Sequence, residues 1–341
     1  LIAQFHQSLT FRRVSDIKAR RGEIFKNTGV GQLKKIILLD GGMSLELLNR
    51  STNKAPRHWS AEYLMSDPDL VADVHYDYIM AGAKIITVNT YSATYTRMAM
   101  VDATDKVEFL QKTACELAHR ARTRAGSQGA AVAIAGSLPP LNGTYRPDRV
   151  RDFDVNLDEY RKLATLQAPY VDLFICETMS TAQEARAAAQ AAAEFGKPVW
   201  VGWTLDDERF TLRSGETIAQ GIKAIEDLGV SAVLANCTPP ETISKAMKEL
   251  LASGLPAGGY ANGFTSIPLA YVPGKTKEQL STRQDLGPDR YSVFVQDWVN
   301  AGAGIVGGCC EVGPVHIAKM RDDLTRNGYT IAGLEALGVK S

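Results

Sequence analysis

The sequence has no long uninterrupted apolar run, no excess of either charge and few cysteines, and each shortage closes off a class of protein. A membrane helix needs about 20 consecutive apolar residues. Even the stretch 70–88 is broken by Asp73, His75, Asp77 and Lys84, so no membrane role is expected. Thirty-eight Lys and Arg balance thirty-eight Asp and Glu, which leaves no net positive field to hold phosphates, and nucleic acid is not an expected partner. Five cysteines in 341 residues, an odd number with two adjacent, do not make a secreted disulfide framework. They fit a reducing, cytoplasmic compartment, as buried thiols, reactive thiols or metal ligands. What the chain does have is 45% apolar residues, enough for a large core.

Residues 1–35 carry eight Lys and Arg against Asp16 and Glu23 and lack clear periodicity. An Arg-rich, acid-poor start can be a transit peptide, but this segment reads as a basic N-terminal extension outside the folded unit.

From residue 36 to the end, one pattern repeats. Short β-branched or apolar runs at 36–40, 84–89, 131–136, 171–177, 198–204, 231–236, 257–262 and 304–307 end in Gly, Asn, Asp or Thr. Stretches with helical spacing lie between them, at 70–81, 106–124, 181–195, 217–228 and 241–252. Strands separated by helices require parallel crossovers, and eight of them favour a closed α/β barrel, the (β/α)8 TIM barrel, as a single domain over 36–341. The turn after the first run reads Asp40-Gly41-Gly42-Met43-Ser44 rather than the G-x-G-x-x-G of a dinucleotide fold. No G-x-x-x-x-G-K-[ST] or G-x-S-x-G occurs, which argues against NTPase and serine-hydrolase chemistry.

Such a barrel carries its chemistry where strands end. Here those positions hold Asp40, Asn89, Glu177, Thr204, Asn236-Cys237, Tyr260 with Asn262, and Gly307-Gly308-Cys309-Cys310. Cys237 and the 309/310 pair are therefore expected on one rim. Adjacent cysteines on a regular strand face opposite ways. Both can serve one ion only where the backbone turns, which the diglycine permits. Three thiolates with one open position suit a catalytic zinc; a redox-active vicinal disulfide is the alternative. Cys115 on a helix and Cys176 inside a strand read as buried packing. His316, in the helix after Pro314, reads as ligand support or helix packing.

Taken together, Leu39-Asp40-Gly41-Gly42, Ala81-Gly82-Ala83 leading to Thr87-Val88-Asn89-Thr90-Tyr91, Glu177-Thr178, Asn236-Cys237 and Gly307-Gly308-Cys309-Cys310 with Pro314 and His316 resemble the zinc-dependent homocysteine S-methyltransferases over about residues 36–326. The resemblance implies that Cys237, Cys309 and Cys310 bind Zn2+ and that Asp40 and Glu177 hold the amino group of homocysteine. It further implies that the amides of Gly41, Gly42 and Met43 hold its carboxylate, that Asn236 shapes the site, and that Trp59 and Tyr91 lie near the methyl donor. Ser44-Leu45, Ala261 and Glu311-Val312-Gly313 depart from the usual pattern. The Glu177-Thr178-Met179 ending is more like the S-methylmethionine group than the betaine group. The implied reaction carries a methyl group from a small sulfonium or ammonium donor to a zinc-bound homocysteine thiolate, giving methionine. The partners are then small molecules. Two other readings stay open: a non-catalytic zinc sensor or store, and a thiol-activating module that takes its methyl from a corrinoid partner protein.

Overall fold

The computed structural model describes residues 34–52, 58–268 and 280–337, so most of the basic segment 1–35 lies outside the described residues. Eight parallel strands follow one another around a barrel: β1 (Lys34–Leu38), β2 (Ile85–Thr87), β3 (Ala133–Leu138), β4 (Leu173–Met179), β5 (Val199–Trp203), β6 (Ala232–Asn236), β7 (Ala257–Ala261) and β8 (Ile305–Gly308). Each expected run is a strand. The ring closes where β1 meets both β8, at Ile37 against Ile305, and β2, through a bridge of Leu39 with Ile85. The helices α1 (Met43–Arg50), α2 (Pro68–Ala81), α3 (Val107–Arg124), α4 (Phe153–Gln167), α5 (Ala182–Ala193), α6 (Ile218–Lys223), α7 (Pro240–Ala252), α8 (Pro288–Ala301) and α9 (Pro314–Arg326) surround it.

Local chemistry sets many of these boundaries. Asp67 caps α2 by accepting the Leu70 N–H, Pro68 fixes the first turn, and Gly82 ends the helix in the left-handed region at φ 113°. Thr181 caps α5 in the same way, accepting the Glu184 N–H at 2.9 Å. The expected helix over 217–228 keeps α-helical form only to Lys223. Beyond it, Ile225 and Leu228 donate to carbonyls three residues back, and the tighter turn finishes the segment.

Strand residues alternate between two cores. Ile37, Leu39, Ile175, Trp200 and Leu234 fill the barrel interior, whereas Ile36, Leu38, Phe174 and Val201 pack against the helices. A ninth strand, β9 (Tyr329–Ala332), pairs in parallel with Lys34 to Ile37 of β1, on the edge that β2 takes only further along. This pairing brings Lys34 and Lys35 into the barrel, two residues earlier than expected. After β9, Leu334 and Leu337 join the interior cluster.

Candidate active site

The carboxyl ends of the strands open into a cavity of about 630 Å³. Cys237 follows β6, and Cys309 and Cys310 follow β8, so parallel strands bring together residues more than seventy positions apart. The three Sγ atoms lie within 4.8 Å of one another, with 3.8 Å between Cys237 and Cys310. Two sulfurs on one tetrahedral zinc, each at about 2.3 Å, stand roughly 3.8 Å apart. The soft donor set and its spacing therefore fit that ion, and none of the three is in a disulfide. Hydrogen bonds from Cys309 and then Cys310 hold the Cys237 thiol well below its ordinary value against the effect of burial, and Tyr145 adds to this. The Tyr145 hydroxyl lies 2.9 Å from the Cys237 sulfur.

Close packing of two loops shapes the bend that lets adjacent cysteines converge. The loop after β1 lies on the loop after β8. The Gly42 N–H donates to the Val312 carbonyl at 3.0 Å, and the Tyr78 hydroxyl donates to the same carbonyl at 3.1 Å. A Cβ on Gly41 would stand 2.0 Å from the Val312 oxygen, and one on Gly42 2.6 Å from the Cys309 oxygen. Only glycine permits that approach.

Asp40 and Glu177 line the same cavity, Asp40 buried and Glu177 half-buried. The Thr87 N–H donates to Asp40 Oδ2 at 2.7 Å, and the Ser137 hydroxyl donates to Glu177 Oε1 at 2.5 Å. Burial raises Asp40 to about 8, helped by repulsion from Glu177 and opposed by the Thr87 hydrogen bonds. Burial likewise raises Glu177 to about 7. Two neighbouring acids that resist ionisation favour a cationic guest.

Glu177 is turned inward by an irregularity in β4. The register with β5 shifts between Cys176 and Met179, and Thr178 takes φ 61°. Asn236 is fully buried beneath this kink and does not line the cavity; it bonds Thr178 twice. Gly42 spends its amide on Val312, while the first-turn amides of Met43 and Ser44 make no hydrogen bond among the described residues. An α-helix leaves such groups free at its N-terminus, facing where an anion is stabilised.

Trp59 and Tyr91 line the cavity as well, Trp59 from a 3-10 turn and Tyr91 from the loop after β2. His316 caps its own helix instead: its Nδ1 accepts the Gly313 N–H at 3.2 Å and its ring packs on Tyr291. Cys115 and Cys176 are buried away from the cluster. The sequence reading missed Tyr145, Tyr260, Arg97 and Arg149, all of which line the cavity. Three of the four lie beyond strand ends, Arg97 on the short helix Tyr95–Ala99 and Tyr145 and Arg149 in the connection after β3, where strand periodicity gives no signal; Tyr260 stands on β7 and was noted only as a strand end.

Among the described residues, no helix is long and apolar enough to cross a membrane. Residues 37–324 match the sequence profile of the family described as Homocysteine S-methyltransferase. The Homocysteine S-methyltransferase of Escherichia coli (strain K12) is 28% identical over 310 residues, covering 84% of this chain and 94% of its own. A Selenocysteine Se-methyltransferase of Brassica oleracea var. italica is 27% identical, with coverage of 89% and 91%. The crystal structure of the homocysteine methyltransferase MmuM from Escherichia coli, in its metallated form, superposes with a TM-score of 0.71 at 27% identity, covering 84% of this chain and 96% of that one.

Proposed function

The chain belongs to the homocysteine S-methyltransferase family, and we propose that it transfers a methyl group from a small cationic onium donor, S-methylmethionine foremost, to the sulfur of homocysteine, giving methionine. The observation that carries this is the meeting of three cysteine sulfurs and two carboxylates in one cavity.

In this reading Cys237, Cys309 and Cys310 hold zinc. A bound zinc would supply the Lewis acidity that keeps an acceptor sulfur ionised at neutral pH, where a free thiol is mostly protonated. Asp40 and Glu177 receive the acceptor's ammonium, and ion pairing offsets the cost of ionising them in a buried site. The free first-turn amides of α1, after Gly41 and Gly42, receive its carboxylate. Asn236 acts beneath the site, through Thr178, by fixing the bend that carries Glu177. Methyl transfer then needs the acceptor sulfur, the methyl carbon and the donor's leaving atom in line. The sulfur's electron pair forms the new S–C bond, and the donor leaves with the pair of the bond that breaks. No proton moves in that step, so the chain provides position rather than a general base. Trp59 offers a π face to the donor's positive charge, an attraction of about 0.5–2 kcal/mol.

We assign residues 36–341, extended by Lys34 and Lys35 of β1, to one catalytic barrel with the preceding residues as an appended basic segment, and five free thiols favour the reducing cytoplasm. Purified protein with zinc and homocysteine, offered S-methylmethionine, S-adenosylmethionine, betaine and dimethylsulfoniopropionate in turn, tests the reading. Methionine is expected from an onium donor, most rapidly from S-methylmethionine. Full zinc with no methionine from any of the four would replace this reading with a zinc store or a corrinoid-dependent module.

A further inference from the structure

Resting on that reading, we propose that Arg97 and Arg149 bind the carboxylate of the methyl donor, so that the enzyme selects a zwitterion, onium at one end and carboxylate at the other, over a simple onium cation. Among the described residues, and thiols aside, the formal charges lining the cavity are two carboxylates, Asp40 and Glu177, and two guanidiniums, Arg97 and Arg149. The carboxylates stand on the strand ends. Arg97 comes from a short helix after β2, and Arg149 from the long loop after β3.

Arg97 is only 8% exposed, yet it forms no ion pair within 4 Å among the described residues. Its Nη2 donates to the Pro140 carbonyl at 2.9 Å and to Thr144 Oγ1 at 3.0 Å, while its buried Nε has no partner. Glu184 is close enough to feel this charge, but its Oε2 accepts the Ser180 N–H. A buried cation left with spare donors and no direct counter-ion is costly, and an entering anion relieves the cost. Arg149 is exposed at the edge of the cavity, and its guanidinium meets no acceptor among the described residues. The neighbouring Asp148 is engaged by Arg146. Arg97 and Arg149 are tied to one loop, since Arg97 bonds Pro140 and Thr144 and the Arg149 carbonyl accepts from Asn142 Nδ2 at 2.8 Å.

Tyr91 adds an independent observation. The Arg97 guanidinium carbon lies 5.1 Å from the centre of its ring, and the Tyr91 hydroxyl lies 2.9 Å from Thr144 Oγ1. A ring that already faces a guanidinium is a poorer partner for a second cation. The Tyr91 wall therefore suits the donor's negative end, and the positive end lies toward Trp59 and the anionic floor. A guanidinium also matches a carboxylate in shape, through paired N–H donors.

The test compares kcat/KM for S-methylmethionine with that for its decarboxylated counterpart, dimethyl(3-aminopropyl)sulfonium, in the wild type, Arg149→Gln and Arg97→Gln. The wild type is expected to favour the carboxylate donor, and each substitution should shrink that preference by about ten- to a hundredfold, as loss of a charge-assisted hydrogen bond does. Damage to the fold would slow both donors together and leave the ratio intact. An intact ratio in Arg149→Gln, a surface change that leaves packing alone, overturns the assignment of that residue, and an intact ratio in both variants overturns the proposal. Equal wild-type use of the two donors also overturns it while methyl transfer stands; no turnover with either removes the functional reading on which it rests.

Discussion

Asn236 holds Thr178 at both ends of its carboxamide: Oδ1 accepts the Thr178 N–H at 2.8 Å, and Nδ2 donates to Thr178 Oγ1 at 2.8 Å. The residue so gripped sits at φ 61°, directly after Glu177. A side chain outside the cavity therefore sets the direction of one that lines it. Asn236→Ala is expected to lower stability by about 1–3 kcal/mol, the cost of leaving buried partners unpaired, and to raise KM for homocysteine more than KM for the donor. Equal change in both constants would mean that Asn236 merely supports the barrel.

Removal of the Cys310 sulfur should release the metal without unfolding the barrel, because among the described residues Cys310 packs on the small cluster of Tyr145, Phe264 and Leu280 and not on the strand or helix cores. Cys310→Ala is expected to purify with far less than one zinc per chain and no turnover, while its circular dichroism stays that of the parent. Stoichiometric zinc together with full activity in this variant would remove Cys310 from the ligand set. Chelation of the parent should abolish activity reversibly, with recovery on adding zinc.

Burial raises Asp40 from 3.8 to about 8 and Glu177 from 4.5 to about 7. The folded state consequently holds more protons than the unfolded chain between roughly pH 4 and 8, and the ligand-free protein should lose stability as pH climbs through that interval. A bound ammonium favours the ionised pair, so affinity should rise over the same range. Calorimetric titration with L-homoserine, whose hydroxyl does not ionise there, isolates this effect. Tighter binding at pH 8 than at pH 6, with proton release, is expected. A flat profile would show that neither acid meets the amino group.

Trp59→Ala should weaken the donor site alone, raising donor KM by about two- to thirtyfold, the range of a cation–π contact. KM for homocysteine measured in the same experiment should hold steady. A rise confined to homocysteine would place the indole at the acceptor end.

Gly42→Ala places a methyl group 2.6 Å from the Cys309 oxygen, a distance that real contacts do not reach. The loops after β1 and β8 must then part, which moves Asp40 and Cys309 together. Zinc affinity and homocysteine affinity should fall in parallel in competition titrations. An unaffected zinc affinity would show that the two loops are positioned independently.

The eight strands were legible because each is a short apolar run closed by a polar or glycine residue, a period that survives without any tertiary information. Cys237, Cys309 and Cys310 could be gathered on one rim for the same reason, since parallel strands share an end. Tyr145 could not, because nothing local distinguishes it from the polar loop 139–152; its contact with Cys237 crosses 92 positions. The amide of Gly42 shows a different limit. Its residue type announced a close approach, but only the fold reveals that the approach is to Val312 rather than to a ligand. β9 escaped notice because Tyr329–Ala332 is short and only partly buried, and its partner is the opposite end of the sequence.

That last pairing bears on how the chain is made. Lys34 to Ile37 are made long before their partner, and the edge that accepts Tyr329–Ala332 stays bare until translation has passed Ala332. The nascent molecule must carry an open seam until then, and Leu334 and Leu337 close the base only afterwards. A stop codon just after Asn327 would thus leave every proposed ligand in place and yet release a barrel without its bottom, exposed to aggregation through its unpaired first strand.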